Sequence, residues 1–414
     1  MLTNRRDFIS GSMSAGLYGI LHPTFNDSGR DTRPVEEFEK ILQKPVLDKT
    51  LFTSPHIIES IELLKSDDLY LVHTRTKDGI DGVTLASDRA AYLYPIFQQL
   101  VAPFFIGKDA RDIESLIEEV YVYKNNYKLS GLAFWCCVAW LEFSILDLLA
   151  KSVNKPVGDI LGGRIRERIS LYKASGRRNT TSEEEVSMLA KAVEETGVKA
   201  VKFKVGGRMS HNEDSIPGRT EGLIKLARAE FGEAMVIYAD GNGSYDSEKA
   251  VEIGHLLEEI NASIFEEPCP FDHFEETKKV ADILSIPVTG GEQETSIRRF
   301  RWLISNNAVQ MVQPDLHYFG GFIRCTRVAR MAELAGLPIT VHVTGSSGFA
   351  DMLQFASYIP NLGPYQELKG NIELVGPLYG LSPKVAKGIL DVPSGNGWGL
   401  IASGELLKNA QKTG

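Results

Sequence analysis

The chain has 414 residues, of which 43% are hydrophobic and 24% are charged, and a soluble protein of this size is expected to form two domains with separate cores. Acidic residues outnumber basic residues by 54 to 45, and the formal net charge is −9. This balance disfavours a nucleic-acid role that depends on neutralising phosphates and favours a small-molecule ligand. The four cysteines have the spacing of neither a zinc site nor a disulfide framework, so we expect them to be buried.

Residues 1–33 resemble an export signal of the twin-arginine type. Arg5 and Arg6 precede a charge-free stretch from Phe8 to Asn26 that contains glycine and serine. No A-x-A cleavage site follows, and a disordered polar tail is the alternative interpretation. A periplasmic location is therefore predicted, with the cytoplasm as the alternative. No later segment is expected to span a membrane, because the longest apolar run, near residues 131–139, is too short.

Residues 34–165 predict an α+β domain. Extended segments at 70–76 and 80–86 are separated by a short turn, which is typical of a hairpin. A nearly continuous apolar helix is predicted over 134–151. Substrate selectivity is expected to reside in loops of this domain, around residues 51–65.

From Ile169 onward, short β-branched segments alternate with amphipathic helix patterns, which is typical of βα units and a parallel sheet. Eight such units indicate a barrel over residues 166–385. The predicted strands are 169–174, 198–205, 235–240, 262–266, 286–289, 308–314, 337–342 and 365–367.

Nearly every predicted barrel strand ends on a residue that can bind a metal or move a proton. These residues are Lys204, Asp240, Glu266, Glu292, Asp315, His342 and Glu367. A single residue of this kind is as often the N-cap of the next helix. In a barrel, however, the carboxyl ends of the strands meet at one mouth, where active sites lie. The repetition with the period of the βα unit therefore predicts one site.

Three of these residues, Asp240, Glu266 and Glu292, lie on adjacent predicted strands. Three carboxylates brought together repel one another unless a cation lies between them, and a ligand set made only of oxygens favours Mg²⁺, or else Mn²⁺. The alternative is a hydrogen-bonded acid cluster in which some carboxylates are protonated. We expect the metal site.

Lys202 and Lys204 lie on one face of their strand, because successive side chains alternate. Two lysines inside a barrel are costly unless they bind anions or carry out chemistry, and a solvated pair at a sheet edge is the alternative. Each lysine is expected to lower the pKa of the other, so that one acts as a neutral base. Asp315 is expected to orient His342 as in a His–Asp dyad, whereas an isolated histidine would more often be structural.

Together these motifs resemble the mandelate racemase subgroup of the enolase superfamily, over nearly the whole chain after residue 33. The matching motifs are Leu161-Gly162-Gly163, Lys202-Phe203-Lys204, Asp240-Gly241-Asn242, Glu266-Glu267-Pro268, Gly290-Gly291-Glu292, Pro314-Asp315 with Gly320-Gly321, His342 and Glu367. The resemblance implies an α/β fold, in which an N-terminal α+β capping domain covers a modified TIM barrel of the (β/α)7β type. It also implies that a C-terminal segment, 386–414, packs on the capping domain.

The resemblance implies that a proton next to a substrate carboxylate is removed through an ene-diolate. The Mg²⁺ ligands that it implies are Asp240, Glu266 and Glu292. Lys204 would be the proton-transfer base and Lys202 its tuning neighbour. His342 with Asp315 would act as base or acid on the opposite face, and Glu367 would hydrogen-bond the substrate carboxylate.

The strand that ends Gln313-Pro314-Asp315 lacks the lysine that the muconate-lactonising and dipeptide-epimerase branch carries there. The His342–Asp315 dyad favours instead the branch rich in acid-sugar dehydratases, so a polyhydroxy monocarboxylate is the expected substrate. A racemase, epimerase or cycloisomerase that uses the same groups is the first alternative, and a non-catalytic exported binding protein is another.

Further polar residues lie at or after the carboxyl ends of the first three predicted barrel strands. The candidate substrate-binding residues are Lys173, Arg177, Arg178, Arg208, His211 and Asn242. They would bind hydroxyls or a further anion at the mouth, and ordinary solvated loop charges are the alternative. A homo-oligomer is also expected.

Overall fold

The structure is a computed structural model that describes residues 35–345, 348–369, 372–382 and 384–413. The predicted twin-arginine segment, residues 1–33, lies outside the described residues. The described chain divides into an antiparallel sheet with helices and a parallel sheet whose strands alternate with helices.

The N-terminal part combines a small antiparallel sheet with six α-helices. Its elements are α1 (Val35–Leu42), β1 (Ile58–Ser66), β2 (Leu69–Thr76), β3 (Asp81–Ala86), α2 (Ala90–Ile96), α3 (Ala102–Phe105), α4 (Ile113–Val122), α5 (Leu132–Ser152) and α6 (Val157–Leu161). Strands β2 and β3 pair antiparallel with Tyr70 opposite Ala86, which confirms the predicted hairpin.

The C-terminal part contains the parallel sheet. In chain order its elements are β4 (Arg168–Ala174), α7 (Ser182–Thr196), β5 (Ala200–Lys204), α8 (Arg219–Phe231), β6 (Val236–Asp240), α9 (Ser247–Glu259), β7 (Ile264–Glu266), α10 (Phe274–Ile283), β8 (Val288–Gly290), α11 (Ile297–Ser305), β9 (Met311–Val312), α12 (Phe322–Leu334), α13 (Gly348–Tyr358), β10 (Gln366–Leu368), α14 (Ile372–Val375), β11 (Ile389–Asp391), α15 (Ser403–Asn409) and β12 (Gln411–Lys412). Strands β4 to β9 pair in chain order, all parallel, and β10 pairs parallel with β4. The sheet therefore curls back on its first strand, as the predicted modified TIM barrel requires.

The predicted strand at 337–342 is present only as isolated bridges beside β9. Val312 N donates to Pro338 O, Thr340 N donates to Val312 O and His342 N donates to Pro314 O, each over 3.1 Å. Proline has no N–H to donate, so Pro314 and Pro338 interrupt the ladder on both sides. The segment still runs along the barrel and brings His342 to its mouth.

Helix α5 joins the two parts of the molecule. It packs on β2 and β3, and its Glu142 Oε1 accepts a 3.0 Å hydrogen bond from Ile323 N at the start of α12. Its Asp147 accepts hydrogen bonds from Val83 N in β3, over 2.8 Å, and from Trp398 N in the C-terminal segment, over 2.9 Å. The same helix thus contacts the antiparallel sheet, the barrel layer and the end of the chain.

Among the described residues, α5 is the one helix with the length and apolar composition to cross a membrane. The apolar run near residues 131–139 lies within this helix of 21 residues, most of which the sequence predicts as a helix over 134–151. Its most apolar window is 89% buried inside the protein, as in the core helix of a soluble domain.

The last residues return to the N-terminal sheet. Strand β12 pairs antiparallel with β1, with Leu64 opposite Lys412, and Trp398 Nε1 donates to Phe143 O over 3.0 Å. The C-terminal segment therefore contacts the N-terminal part of the fold, while the domain boundaries at 33, 165 and 385 stay predictions.

Candidate active site

Three carboxylates meet at the carboxyl ends of neighbouring barrel strands. Asp240 ends β6, Glu266 ends β7 directly opposite it in register, and Glu292 follows β8. One oxygen from each lies within 4.8 Å of the others, and the three residues are 0%, 2% and 4% exposed. Gly291 has φ +117°, and a side chain there would meet the ring of Phe300 at 2.6 Å, so the turn that presents Glu292 requires glycine.

The donor set fits a hard cation. Burial and then the negative charge of Asp240 raise the pKa of Glu266 to about 7, as expected when like charges are packed together. Glu292 Oε2 is buried and has no hydrogen-bond partner among the described residues. Carboxylate oxygens at this spacing are the ligands that Mg²⁺ prefers. Mn²⁺, which accepts the same donors, stays a prediction.

Both lysines of β5 point into the barrel, as the alternation predicts, because Val201 and Phe203 lie in the core outside it. Lys202 Nζ donates to the two oxygens of Glu266 over 2.9 and 2.8 Å, and Lys204 Nζ donates to Asp240 Oδ2. Burial lowers the pKa of Lys202, but the charge of Glu266 and of its neighbours outweighs burial and holds that pKa well above its usual value. The surrounding carboxylates therefore dominate the pKa of Lys202, and the mutual effect of the two lysines stays a prediction.

His342 and Asp315 form a dyad on the other side of the carboxylates. His342 Nδ1 lies 2.6 Å from Asp315 Oδ2, and His342 Nε2 lies 3.4 Å from Glu292 Oε2. The second oxygen of Asp315 accepts hydrogen bonds from the backbone N–H groups of His317 and Tyr318, over 2.7 and 2.8 Å. Asp315 is thus fixed at both oxygens and holds one orientation of the imidazole, which leaves Nε2 facing the site.

Glu367 lies on β10 and is completely buried. Its Oε2 accepts a hydrogen bond from Val343 N over 2.9 Å, and its Oε1 lies 3.1 Å from Lys202 Nζ. Burial raises the pKa of Glu367, but the charge of Lys202 and of the nearby cations outweighs burial and holds it well below the usual range. An ionised carboxylate only accepts hydrogen bonds, so Glu367 must take up a proton before it can donate to a substrate carboxylate.

Three side chains at this site were missed by sequence reasoning. Lys369 Nζ lies 2.8 Å from His342 Nε2, and a signal was present, because Lys369 is two residues after Glu367 and so shares its face. Gln313, which the sequence analysis names only as part of the strand end Gln313-Pro314-Asp315, donates to Glu266 Oε2 over a distance of 2.8 Å. Arg89 reaches the site from the N-terminal part of the fold and donates to the hydroxyl of Tyr318 over 2.7 Å, and no sequence pattern singles it out.

The predicted substrate-binding residues separate into two groups. Arg178, Arg208 and Asn242 converge beside Asp240. Lys173 does not join them, because its neighbour Tyr172 occupies the barrel interior and the alternation turns Lys173 outward toward α7. Arg177 and His211 are exposed, and so is Arg208, whose guanidinium nevertheless reaches Asn242. Arg177 Nη1 lies 2.8 Å from Met188 Sδ on α7, so Arg177 also points away from the three carboxylates.

Both parts of the fold match known protein families. Residues 185–405 match the enolase C-terminal domain-like family, and residues 46–162 match the N-terminal domain of mandelate racemase and muconate lactonizing enzyme. The chain is 25% identical to arabinonate dehydratase of Saccharolobus solfataricus over 78% of this chain and 85% of that protein. It is 24% identical to L-talarate/galactarate dehydratase of Salmonella typhimurium over 83% of each.

Solved structures show the same architecture. A Roseobacter denitrificans protein assigned provisionally as a racemase is 32% identical, with a TM-score of 0.79 over 86% of this chain and 99% of its own. A mandelate racemase/muconate lactonizing protein of Paracoccus denitrificans, complexed with magnesium, is 25% identical, with a TM-score of 0.78 over 86% of this chain and 99% of its own. The chain therefore belongs to the mandelate racemase/muconate lactonizing enzyme family of the enolase superfamily and is an enzyme of the lyase or isomerase type.

Proposed function

We propose that this enzyme is a Mg²⁺-dependent acid-sugar dehydratase. The observation that carries the proposal is the placement of two proton-transfer groups on opposite sides of one carboxylate cluster. Lys204 contacts Asp240 on one side, and His342 Nε2 faces Glu292 on the other. A substrate carboxylate seated at the cluster would present its neighbouring carbon between the two groups.

A hydrogen on the carbon next to a carboxylate is a very weak acid, so its removal needs a base and also positive charge at the carboxylate oxygens. Mg²⁺, bound by Asp240, Glu266 and Glu292, would supply positive charge to the substrate carboxylate oxygens as negative charge develops on them. Lys204 takes the C2 proton, and the electron pair left behind moves onto the carboxylate. That pair then expels the C3 hydroxyl, to which His342 gives a proton so that it leaves as water. The resulting enol tautomerises to a 2-keto-3-deoxy acid.

The supporting residues have separable tasks in this proposal. Lys202 neutralises Glu266 and Glu367, whose charges would otherwise repel the substrate carboxylate. Asp315 holds the imidazole so that Nε2 faces the substrate. Relatives named for the dehydration of arabinonate and of talarate or galactarate support this reaction class.

A racemase or epimerase is the second candidate, because the same two groups would exchange protons on opposite faces of C2, and the Roseobacter denitrificans neighbour is assigned as a racemase. Turnover in D₂O separates the two. Dehydration gives a 2-keto-3-deoxy product, whereas racemisation returns substrate that carries deuterium at C2. A cycloisomerase would give neither.

The direct test is a screen of acid sugars with the Mg²⁺-loaded protein for formation of a 2-keto acid. Lys204→Ala and His342→Asn should abolish turnover while metal binding persists, and Lys191→Ala, at a lysine whose side chain is 77% exposed, is the matched control. No product from folded, metal-loaded protein across the library would refute the dehydratase. A non-catalytic binding protein would bind acid sugars without exchanging the C2 proton.

We also propose that the chain is exported through its Arg5-Arg6 motif. Changing both arginines to lysine should retain the protein in the cytoplasm of the producing cell, as measured by fractionation. Equal recovery of both versions from the periplasm, or of neither, would contradict the proposal.

A further inference from the structure

We propose that Arg178 and Arg208 bind a second carboxylate of the substrate, so that the acid sugar is oxidised at both ends. This inference rests on the proposed function and names its substrate class. It departs from the monocarboxylate that the sequence favours.

The two guanidinium groups converge from different loops. Arg178, after β4, and Arg208, after β5, both donate to the side-chain oxygen of Asn242, over 2.8 and 3.2 Å. Asn242 follows β6, and its backbone N–H donates to Asp240 Oδ1 over 2.8 Å. The pair is therefore one short polar residue away from the metal-ligand cluster, at the barrel mouth.

Two cations share one neutral acceptor here, and among the described residues neither guanidinium has an ion pair. Arg178 donates otherwise only to Gly206 O, over 3.2 Å. Burial lowers the pKa of Arg178, the charge of Asp240 opposes this, and Arg208 adds repulsion. Arg219, which packs against the same loops, shows the contrast, because its guanidinium lies 3.7 Å from Glu185 and donates to Lys204 O over 2.8 Å. Two adjacent, uncompensated guanidiniums are a site for an anion.

The loop that carries Arg208 is held in an uncommon conformation. Arg208, Met209, His211 and Asn212 all have positive φ, from 49° to 75°, a backbone conformation that costs free energy in residues other than glycine. Hydrogen bonds oppose this cost, from Arg208 N to Ser244 Oγ over 2.9 Å, and from Asn212 N to Ser244 O over 2.8 Å. These hydrogen bonds hold the backbone at Arg208, from which its exposed side chain reaches Asn242.

A carboxylate fits this pair better than hydroxyl groups do. Each guanidinium offers parallel N–H donors that match the two oxygens of a carboxylate, and only an anion neutralises the mutual repulsion. The reacting carboxylate belongs at the three acidic residues, so the anion at the arginines must be at the other end of the same molecule.

The test compares galactarate, galactonate and 6-phosphogluconate as probes of the Mg²⁺-loaded protein. The variants are Arg178→Met and Arg208→Met, which remove charge but keep length. Arg168→Met is the matched control, because Arg168 is exposed on the first residue of β4, at the opposite end of the barrel. Binding is measured by calorimetry and turnover by 2-keto acid formation. Binding keeps the test informative if no acid sugar is dehydrated, since turnover alone addresses the proposed function.

The unmodified protein should bind galactarate at least tenfold more tightly than galactonate. Each of the two variants should reduce that ratio by about tenfold or more, which is the effect expected of one charge-assisted hydrogen bond, and Arg168→Met should preserve it. Equal affinity for galactarate and galactonate would overturn the proposal, and so would tighter binding of 6-phosphogluconate than of galactarate. An equal loss of affinity for galactarate and galactonate in the two variants would also overturn it.

Discussion

Lys202 is a buried cation whose removal should destabilise the fold strongly. It is 0% exposed, and its ammonium lies 2.8 Å from Glu266, 3.1 Å from Glu367 and 3.6 Å from Asp240. Lys202→Met keeps the volume and removes the charge. Lys204 is then the remaining lysine of β5 beside Glu266, Glu367 and Asp240. Removing one partner of a buried ion pair costs about 3–5 kcal/mol. We expect a loss of that size in metal-free protein at pH 8.

Two dependences distinguish this electrostatic cause from simple loss of packing. Mg²⁺ should recover part of the free energy of unfolding, because it binds the folded carboxylates and supplies positive charge. Lower pH should also shrink the loss, because the pKa of Glu266 is raised to about 7 and protonation removes a charge that Lys202 no longer balances. Packing defects would respond to neither.

The assay is urea unfolding of both proteins with EDTA and with Mg²⁺, at pH 8 and pH 6. Lys49→Met is the control, because its ion pair with Asp112 joins side chains that are 50% and 54% exposed and should contribute below about 1 kcal/mol. A loss in Lys202→Met no larger than in the control, or one unchanged by both Mg²⁺ and pH, would refute the reasoning.

Three other changes test the structure. Asp315→Asn should lower kcat by about 10²-fold to 10⁴-fold, because His342 loses its orientation, while the affinity for Mg²⁺ stays unchanged. A loss of Mg²⁺ affinity as large as the loss of kcat, measured by titration, would contradict this. Burial raises the pKa of Glu142 to about 8 from an ordinary 4.5, so its stabilisation is complete below pH 4.5 and is lost as pH rises through 8. In urea unfolding from pH 5 to 8, the wild type should therefore lose stability relative to Glu142→Gln by up to about 1.4 kcal/mol per pH unit, and parallel profiles would exclude the effect. Gly82→Ala places a carbon 1.9 Å from a backbone oxygen of α5 and should lower the free energy of unfolding in urea by about 3 kcal/mol, the upper end of the usual range for overpacking. Gly79→Ala, with open space around it, should lower it by about 1–2 kcal/mol because of its positive φ, and a smaller loss for Gly82→Ala than for Gly79→Ala would contradict the packing described.

Sequence periodicity was sufficient to predict the barrel and the grouping of the three carboxylates. A residue at the carboxyl end of a parallel strand lies at the barrel mouth, however the surrounding helices pack. The strand register then brings Asp240 opposite Glu266 without further information. The segment 337–342 was less predictable, since its β-branched residues favour a strand while Pro314 and Pro338 interrupt the hydrogen bonds.

Side-chain contacts between distant segments were not readable from the sequence. Arg89 meets Tyr318 across 229 positions, and only the packing of the two parts of the fold brings them together. Lys173 failed as a site residue for a local reason, because a one-residue step along β4 turns a side chain to the other face. The pKa of Lys202 likewise depends on how many carboxylates surround it, and the spacing of residues in the sequence does not give that number.

The return of β12 to β1 has a consequence for the order in which this protein can be made. Leu64 is paired with Lys412 in the sheet, and Asp147 of α5 accepts its hydrogen bond from Trp398 N only once residue 398 has been synthesised. During synthesis, which adds about 5–20 residues each second, the first sheet emerges long before its fourth strand exists. The β1 edge of the N-terminal sheet must therefore leave the ribosome unpaired, and β12 can pair with it only after Gln411 and Lys412 have been synthesised.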